Sequence, residues 1–416
     1  MHSTNDHSGA PYEELRKEQE GPDSDAESSN FNSDTHSDSS SPLLYPETDE
    51  DDNVMDESSL QTEAEGNEDE EDPVITAILR AREKPSEKPP EVEVEDYLAD
   101  ISFSPTSDVI AGGSVTGDAL IYKYSVDKTE LVATHEVHNK AIRSVEFSED
   151  GNVLFTASAD KSIMVTDVAS GKLRQFYDDA HEDPLYTLAV INENLIATGD
   201  ENGVVRMWDL RQRTHVFSSK KMEDYISKIL TNEEARYLVC TSGEGTVTSF
   251  DIAGKCLHIQ SELYEAEFTC AGLFRKETKL VVGSARGSLV FYKWGQFGLH
   301  TDDLPWTSKK SISCMVPVSE NIVLTGWEDG CIRATYLFPH KQLGVVGQHS
   351  LSVEALDISH DGAYVASCSL DNKLRFWPVG YFEDSDLLAS VADSKKPLNL
   401  PSSNVIDRSQ FFSDLA

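Results

Sequence analysis

Histidine and aspartate recur in this sequence at a spacing that would suit a proton-transferring pair. His138 stands 22 residues before Asp160, and His349 stands 22 residues before Asp371. An imidazole beside a carboxylate is a common arrangement of a general base with the group that orients it. A catalytic pair is needed only once, however, whereas this pair returns along the chain. The repetition favours a structural role, in which each pair holds hydrogen bonds inside the fold.

The other reactive side chains form no catalytic or metal-binding motif. The six cysteines lie between Cys240 and Cys368 and include no pair at CxxC spacing, so the sequence predicts neither a zinc site nor a redox dithiol. No phosphate-binding glycine loop, HExxH or GxSxG motif stands in the right context. We therefore expect no enzyme activity and no cofactor. Without a signal peptide or a membrane span, the expectation is an intracellular protein with reduced thiols.

Negative charge dominates the chain and is concentrated at its start. The chain has 35 basic and 74 acidic residues, a net charge of −39. Residues 1–72 alone contain 24 acidic and two basic residues and few large apolar side chains, so we expect an acidic, disordered tail. No basic patch suited to phosphate backbones is present, which disfavours direct nucleic-acid binding. Basic protein partners are favoured instead, with the tail as a weak, salt-sensitive holder.

Composition and proline placement divide the rest of the chain. Asp72 followed by Pro73 is typical of a helix N-terminus, and Pro85 predicts that the helix stops by Lys84. We expect this short amphipathic helix to dock on the same chain, with docking on a partner as the alternative. A Pro-rich spacer follows, up to residue 90. A domain of short strands should then occupy residues 91–388, followed by a mostly disordered tail, 389–416.

The domain of short strands is built from seven copies of one unit. Each copy has a polar turn between two apolar strands, and successive turns are 42 or 43 residues apart. The equivalent turn residues are Gly117, Asp160, Asn202, Glu244, Arg286, Asp329 and Asp371. A period in the low forties with four short strands per unit is typical of WD repeats. The chain resembles that family from residue 91 to about 380, which implies an all-β fold, a seven-bladed β-propeller.

The second unit illustrates the expected strands. Its three inner strands are predicted at 142–147, 153–158 and 163–167, with 130–134 as the outer strand. A closed ring also requires a strand that completes the last blade, because an open ring would leave a bare sheet edge. Residues 91–94 are the preferred donor, as is usual in this family, and 381–388 are the alternative.

The resemblance also implies a hydrogen-bonded network in the better-preserved blades. Histidine and the turn residue bond each other, and a strand hydroxyl and a tryptophan extend the network. The residues that this assigns are His138 with Asp160, His181 with Asn202, His349 with Asp371, and the tryptophans Trp208 and Trp377. The second unit has Thr166 in place of tryptophan. Units one, four and five lack Asp or Asn at the turn, and we expect them to depend more on apolar packing.

One segment points to a specific partner. Trp208, Asp209 and Arg211 match the WDxR sequence of receptors that bring substrates to cullin–RING ubiquitin ligases through a β-propeller adaptor. In such receptors the arginine makes a forked pair with a carboxylate. The alternative is that Trp-Asp is the ordinary end of a WD-repeat strand and that the arginine follows by chance.

Several separated motifs resemble those of the WD repeat-containing protein 55 family. They are Phe103-Ser-Pro105, the run 291–298 (FYKWGQFG), Gly347-Gln-His349 and the run 409–415 (SQFFSDL). The resemblance implies a nucleolar scaffold in ribosomal RNA synthesis and ribosome assembly, with pre-ribosomal or nucleolar partners. We also expect the protein to be a monomer. A cytoplasmic pool is an alternative, since the chain has only lysine doublets and no basic import cluster. Recognition of histone tails is a third hypothesis, which would require an acidic or aromatic pocket.

Overall fold

The computed structural model describes residues 73–83, 88–306 and 308–382, all of which belong to one unit, Glu68–Ala416. The predicted acidic tail at 1–72 and C-terminal tail at 389–416 lie outside the described residues. Within the described part the chain forms one helix followed by 28 strands. The strands make seven antiparallel sheets of four strands each, so the predicted all-β, seven-bladed propeller is confirmed.

The first three blades are consecutive meanders. Blade 1 contains β2 (Leu98–Phe103), β3 (Val109–Ser114), β4 (Asp118–Tyr124) and β5 (Thr129–Glu136). Blade 2 contains β6 (Ile142–Phe147), β7 (Val153–Ser158), β8 (Ile163–Asp167) and β9 (Leu173–Tyr177). Blade 3 contains β10 (Leu185–Asn192), β11 (Leu195–Asp200), β12 (Val204–Asp209) and β13 (His215–Lys220).

The next three blades repeat this order. Blade 4 contains β14 (Ile226–Leu230), β15 (Tyr237–Ser242), β16 (Val247–Asp251) and β17 (Cys256–Gln260). Blade 5 contains β18 (Phe268–Phe274), β19 (Lys279–Ser284), β20 (Ser288–Lys293) and β21 (Asp302–Pro305). Blade 6 contains β22 (Ile312–Pro317), β23 (Ile322–Trp327), β24 (Cys331–Tyr336) and β25 (Lys341–Gln348).

Blade 7 joins the two ends of the domain. Its first three strands are β26 (Val353–Ile358), β27 (Tyr364–Ser369) and β28 (Lys373–Pro378). Its outer strand is β1 (Val92–Glu93), which pairs Val92 with Leu374. The preferred donor segment, 91–94, therefore closes the ring as predicted.

The outer strand predicted for the second unit was placed in the wrong blade. Residues 130–134 belong to β5, which pairs with β4 in blade 1, whereas the outer strand of blade 2 is β9. The physical reason is that each antiparallel meander continues through the next hairpin along the chain. A sequence repeat that begins with an outer strand therefore spans two blades.

From here on, the inner strand of a blade means its innermost strand, the first one given for each blade above. The inner strand of each blade lies beside the inner strand of the next blade, and β26 lies beside β2, so the ring is complete. Apolar side chains from the facing surfaces of neighbouring blades form the core. Phe155 of blade 2, for example, shares one buried cluster with Leu185 and Trp208 of blade 3. We call the face with the loops that precede the inner strands the upper face. The other face, with the turns that follow the inner strands, is the lower face.

The helix α1 (Pro73–Glu83) packs on the same chain, as predicted, and ends before Lys84. Val74 and Ile78 are buried in a cluster with Leu343 of β25 and Phe382 near the end of the described chain. Apolar residues one turn apart on a helix share a face, which explains why this pair is covered together. No helix in the described residues is both long and apolar enough to cross a membrane.

Candidate functional site

The His138–Asp160 pair of blade 2 is enclosed by hydrogen bonds within the blade. His138 Nδ1 lies 3.1 Å from Asp160 Oδ2, and its Nε2 lies 2.8 Å from the hydroxyl of Thr156. The backbone amides of Asn139 and Ser162 also donate to the Asp160 carboxylate. Burial lowers the pKa of His138, although Asp160 opposes this effect. A neutral imidazole that donates to Asp160 and accepts from Thr156 satisfies both ring nitrogens.

In blade 3 the partner of His181 is Asp200 and not Asn202, which corrects the prediction. His181 Nδ1 is 2.8 Å from Asp200 Oδ2, and Nε2 is 2.8 Å from Thr198 Oγ1. The indole of Trp208 donates to the same hydroxyl at 2.8 Å. Asp200 is the last residue of β11, close enough to reach the imidazole, and it also accepts the Asn202 amide. The carboxylate has moved two residues along the turn while the network is otherwise kept.

Blade 7 holds the full predicted network. His349 Nδ1 is 3.0 Å from Asp371 Oδ2, and Nε2 is 2.7 Å from Ser367 Oγ. Trp377 donates its indole N–H to the same serine hydroxyl at 2.7 Å. Both ring nitrogens of His349, the Ser367 hydroxyl and the Trp377 indole N–H therefore have their hydrogen-bond partners within this network. The histidine pairs of blades 2, 3 and 7 are thus bonded as structural elements, which matches the interpretation drawn from their repetition.

The WDxR residues lie at the lower face, where β12 ends. Asp209 Oδ1 accepts from Arg211 Nε at 2.8 Å, and Asp209 Oδ2 accepts from an Arg211 terminal nitrogen at 2.7 Å. These bonds from Arg211 hold the pKa of Asp209 down at about 2. The Arg211 side chain is nevertheless 71% exposed. Trp208 belongs to the buried network and Asp209 is itself buried, so Arg211 is the residue of this motif that is presented to a partner.

Comparison with known proteins decides the family. The model of the WDR55 family matches residues 89–382, which is most of the chain. The chain belongs to the WDR55 family. A WD repeat-containing protein 55 homolog of Aedes aegypti is 48% identical over 350 residues, covering 83% of this chain and 75% of the relative. Homologs of Drosophila ananassae and Drosophila melanogaster are 46% and 45% identical, covering 84% and 83% of this chain and 73% and 70% of their own lengths.

Blade 6 of this WDR55-family chain replaces the histidine network with a different one. Trp327 stands where Ser158 and Ser369 end the equivalent strands of blades 2 and 7, and its indole donates to Thr325 Oγ1 at 2.8 Å. The Arg333 guanidinium lies 4.7 Å from the Trp327 ring. This arrangement was not among the contacts predicted from the sequence. The available signal was a tryptophan at a position that elsewhere carries a small polar residue.

Three carboxylates on the inner strands, also missed, connect neighbouring blades near the ring axis. Asp100 accepts the amide of Val145 at 2.9 Å, and Glu146 accepts the amide of Val190 at 3.1 Å. Asp357 accepts the Phe103 amide in the same way across the joint of blades 7 and 1. Each bond crosses from one blade to the next, so these side chains help to fix the ring.

The environment of these carboxylates disfavours their charge. Burial raises the pKa of all three, that of Glu146 to about 7 and that of Asp357 to about 6. Lys228, on the inner strand of blade 4, acts on all three in the opposite direction.

The six cysteines, all within the described residues, form no disulfide, and four of them are buried. Burial raises the pKa of Cys270 to about 12, so its thiol stays protonated. Among the residues that the structure describes, no group of three His, Cys, Asp or Glu side chains is arranged to hold a metal ion.

Proposed function

We propose that this WD-repeat scaffold is a non-catalytic, nucleolar protein that brings together factors of ribosomal RNA synthesis and ribosome assembly. Membership in the WDR55 family is the observation that supports the scaffold role. The hydrogen-bonded histidine pairs support a non-catalytic role, because their ring nitrogens are used inside the blades. The net charge of −39 favours basic proteins as partners over nucleic acids.

Imaging and purification of the same tagged chain test this proposal. We expect the tagged protein to be enriched in nucleoli and to recover pre-ribosomal proteins at moderate salt. The recovery should fall as salt is raised, because attraction between charged surfaces is screened. Exclusion from nucleoli, together with purified material that lacks pre-ribosomal proteins, would refute the nucleolar role.

A second candidate function is that of a substrate receptor of a cullin–RING ubiquitin ligase. The specific observation is the exposed Arg211 guanidinium, which Asp209 holds in a fixed direction at the lower face. Arg211→Ala should abolish binding to the β-propeller adaptor. Arg213→Ala is the matched control, because it removes an exposed arginine two residues further along. Equal adaptor binding by the Arg211→Ala variant and the unmodified protein would exclude this function.

A further inference from the structure

Two tyrosine rings lie against each other at the upper face, where the inner strands of blades 3 and 4 begin. Tyr186 is the second residue of β10, and Tyr225 directly precedes β14. Their ring centroids are 4.7 Å apart, and the planes are inclined by 38°. Both residues are partly exposed, so the pair forms an aromatic surface next to the axis of the ring.

A glycine makes room for this aromatic pair. The turn between the second and third strands carries Ala159 in blade 2 and Ala285 in blade 5, but Gly243 in blade 4. A Cβ atom on Gly243 would lie 2.3 Å from the Tyr225 ring. The ring therefore lies across the turn at a position that an alanine would obstruct.

The chain's own arginine shows what this surface attracts. The guanidinium of Arg143, from blade 2, lies 5.4 Å from the centre of the Tyr186 ring and is paired with Glu201. A guanidinium over an aromatic ring with a carboxylate beside it is a standard mode of cation recognition. The hydroxyl of Tyr225 lies 3.4 Å from Glu267, an exposed carboxylate that has no ion-pair partner in the described part of the chain.

Carboxylates on the upper-face loops and turns surround the Tyr186–Tyr225 pair. Burial raises the pKa of Tyr186, and the nearby Glu354, Glu201 and Glu267 raise it further, against the effect of Arg143. The upper-face loops 178–184, 221–225 and 261–267, with the turns 201–202, 243–244 and 285–286, contain eleven acidic and two basic residues. Leu263 in one of these loops is 72% exposed. The surface is thus acidic and aromatic, with an apolar residue near its edge.

From this arrangement we infer that the upper face of blades 3 to 5 binds an arginine- or lysine-rich segment of a protein partner. One cationic side chain of the segment stacks on the Tyr225 side of the pair and bonds to Glu267, as Arg143 does with Tyr186 and Glu201. The acidic loops attract the remaining positive charges. The inference rests on the scaffold role proposed above and names the chemistry of one of its partners.

Peptide binding to the full-length protein tests the inference. The probe is a fluorescein-labelled peptide of four Arg-Gly-Ser repeats, measured by fluorescence anisotropy, with the same peptide carrying glutamate for arginine as the negative probe. Tyr225→Ala should weaken binding of the arginine peptide about tenfold, the size expected for loss of a partly desolvated cation–π contact. Tyr225→Phe keeps the ring and should bind within about threefold of the unmodified protein.

Two further comparisons separate this surface from general acidity and from misfolding. Gly243→Ala removes no charge and should weaken binding as Tyr225→Ala does, since it displaces the ring, while leaving the unfolding transition cooperative. The double variant Glu201→Gln/Glu267→Gln should lose about tenfold in affinity. Glu193→Gln/Glu234→Gln removes the same charge from exposed lower-face turns and should change affinity less than twofold.

Equal losses in the two double variants, or unchanged binding by Tyr225→Ala, would overturn the inference. Both results are independent of where the protein is found in the cell. If the protein recovers pre-ribosomal factors but Tyr225→Ala binds the peptide as well as Tyr225→Phe does, the binding surface alone is refuted. Nucleolar exclusion with intact peptide recognition would refute the proposed nucleolar role alone.

Discussion

Two threonines on neighbouring strands of blade 2 have opposite hydrogen-bonding environments. Thr156 on β7 bonds to His138 at 2.8 Å, whereas the buried hydroxyl of Thr166 on β8 has no partner among the described residues. Thr166 occupies the position that carries Trp208 and Trp377 in blades 3 and 7. A short side chain there cannot extend to the strand hydroxyl, as the indole does in the other two blades.

The same substitution at both threonines should therefore have opposite effects. Thr156→Val leaves His138 Nε2 buried without a donor and should lower the free energy of unfolding by about 1–3 kcal/mol. Thr166→Val removes an unsatisfied hydroxyl at nearly constant volume, and we expect it to be neutral or to stabilise by up to about 1 kcal/mol. Urea unfolding of the two variants provides the measurement. Equal destabilisation would show that the network of blade 2 does not depend on its hydroxyl.

Glu146 should make the stability of the ring depend on pH. Its pKa rises from 4.5 to about 7 through burial, so the folded state binds the proton more tightly than the unfolded state does. This contribution to stability is complete below about pH 4.5 and is lost as pH rises towards 7. Glu146→Gln keeps an acceptor for the Val190 amide and carries no charge. We expect it to match the unmodified protein at low pH and to exceed it by about 3 kcal/mol at pH 8.

The quantity to follow is the difference in the free energy of unfolding between the variant and the unmodified protein. The pKa values of Asp100 and Asp357 are also raised, so these residues contribute to the pH profile of each protein by itself. Glu149→Gln is the control, since Glu149 is exposed in the following turn. A difference that stays constant from pH 5 to pH 8 for Glu146→Gln would contradict the assignment.

The helix α1 has one face buried against the propeller and one face exposed to solvent. Ile78 is 2% exposed beneath the helix, whereas its neighbour Leu79 is 53% exposed. Ile78→Asp places a carboxylate in the apolar cluster and should release α1, with a loss of about 1–3 kcal/mol in stability. Leu79→Asp adds the same charge at the solvent side and should change stability by less than about 0.5 kcal/mol. Equal effects would mean that α1 does not dock on the propeller.

The first three strands of each blade could be predicted because each blade repeats one short pattern at a constant interval, whereas the outer strand 130–134 was assigned to the wrong blade. The number of blades and the closing strand 91–94 followed from that register and from the need to cover a sheet edge. Contacts that depend on side-chain reach could not be predicted in this way. Asp200 replaces Asn202 because its side chain, two residues earlier, reaches the same imidazole.

The replacement of the histidine network in blade 6 by a different set of contacts was also not predicted from the sequence. Trp327 bonds to the strand hydroxyl of its own blade, at a position where the repeat pattern gives no reason to expect a tryptophan. The Tyr186–Tyr225 pair joins residues of different blades, and neither tyrosine belongs to the repeat motif. Such pairs become visible only when the curvature of the ring brings the starts of two inner strands together.

For the whole molecule, the closing strand decides whether the ring has a free edge. Val92 and Glu93 pair with β28, and the amide of Val94 donates to Asn372 O at 2.9 Å. Lys373 adds ion pairs to Glu91 and Glu93, at 3.3 and 3.4 Å. Few residues are involved, but they cover the edge that β28 would otherwise present to another molecule.

A chain that begins at Tyr97 should therefore associate with itself, because the uncovered β28 can pair with a strand of a second copy. A chain that begins at Lys88 lacks α1 as well but keeps residues 91–94, and it should remain monomeric under the same conditions. Size-exclusion chromatography with light scattering compares the two, and their unfolding temperatures should differ in the same order. Since both chains lose α1 and the acidic segment 1–72, any difference belongs to residues 88–96. Two monomers with equal unfolding temperatures would show that apolar packing between blades 7 and 1 closes the ring without β1.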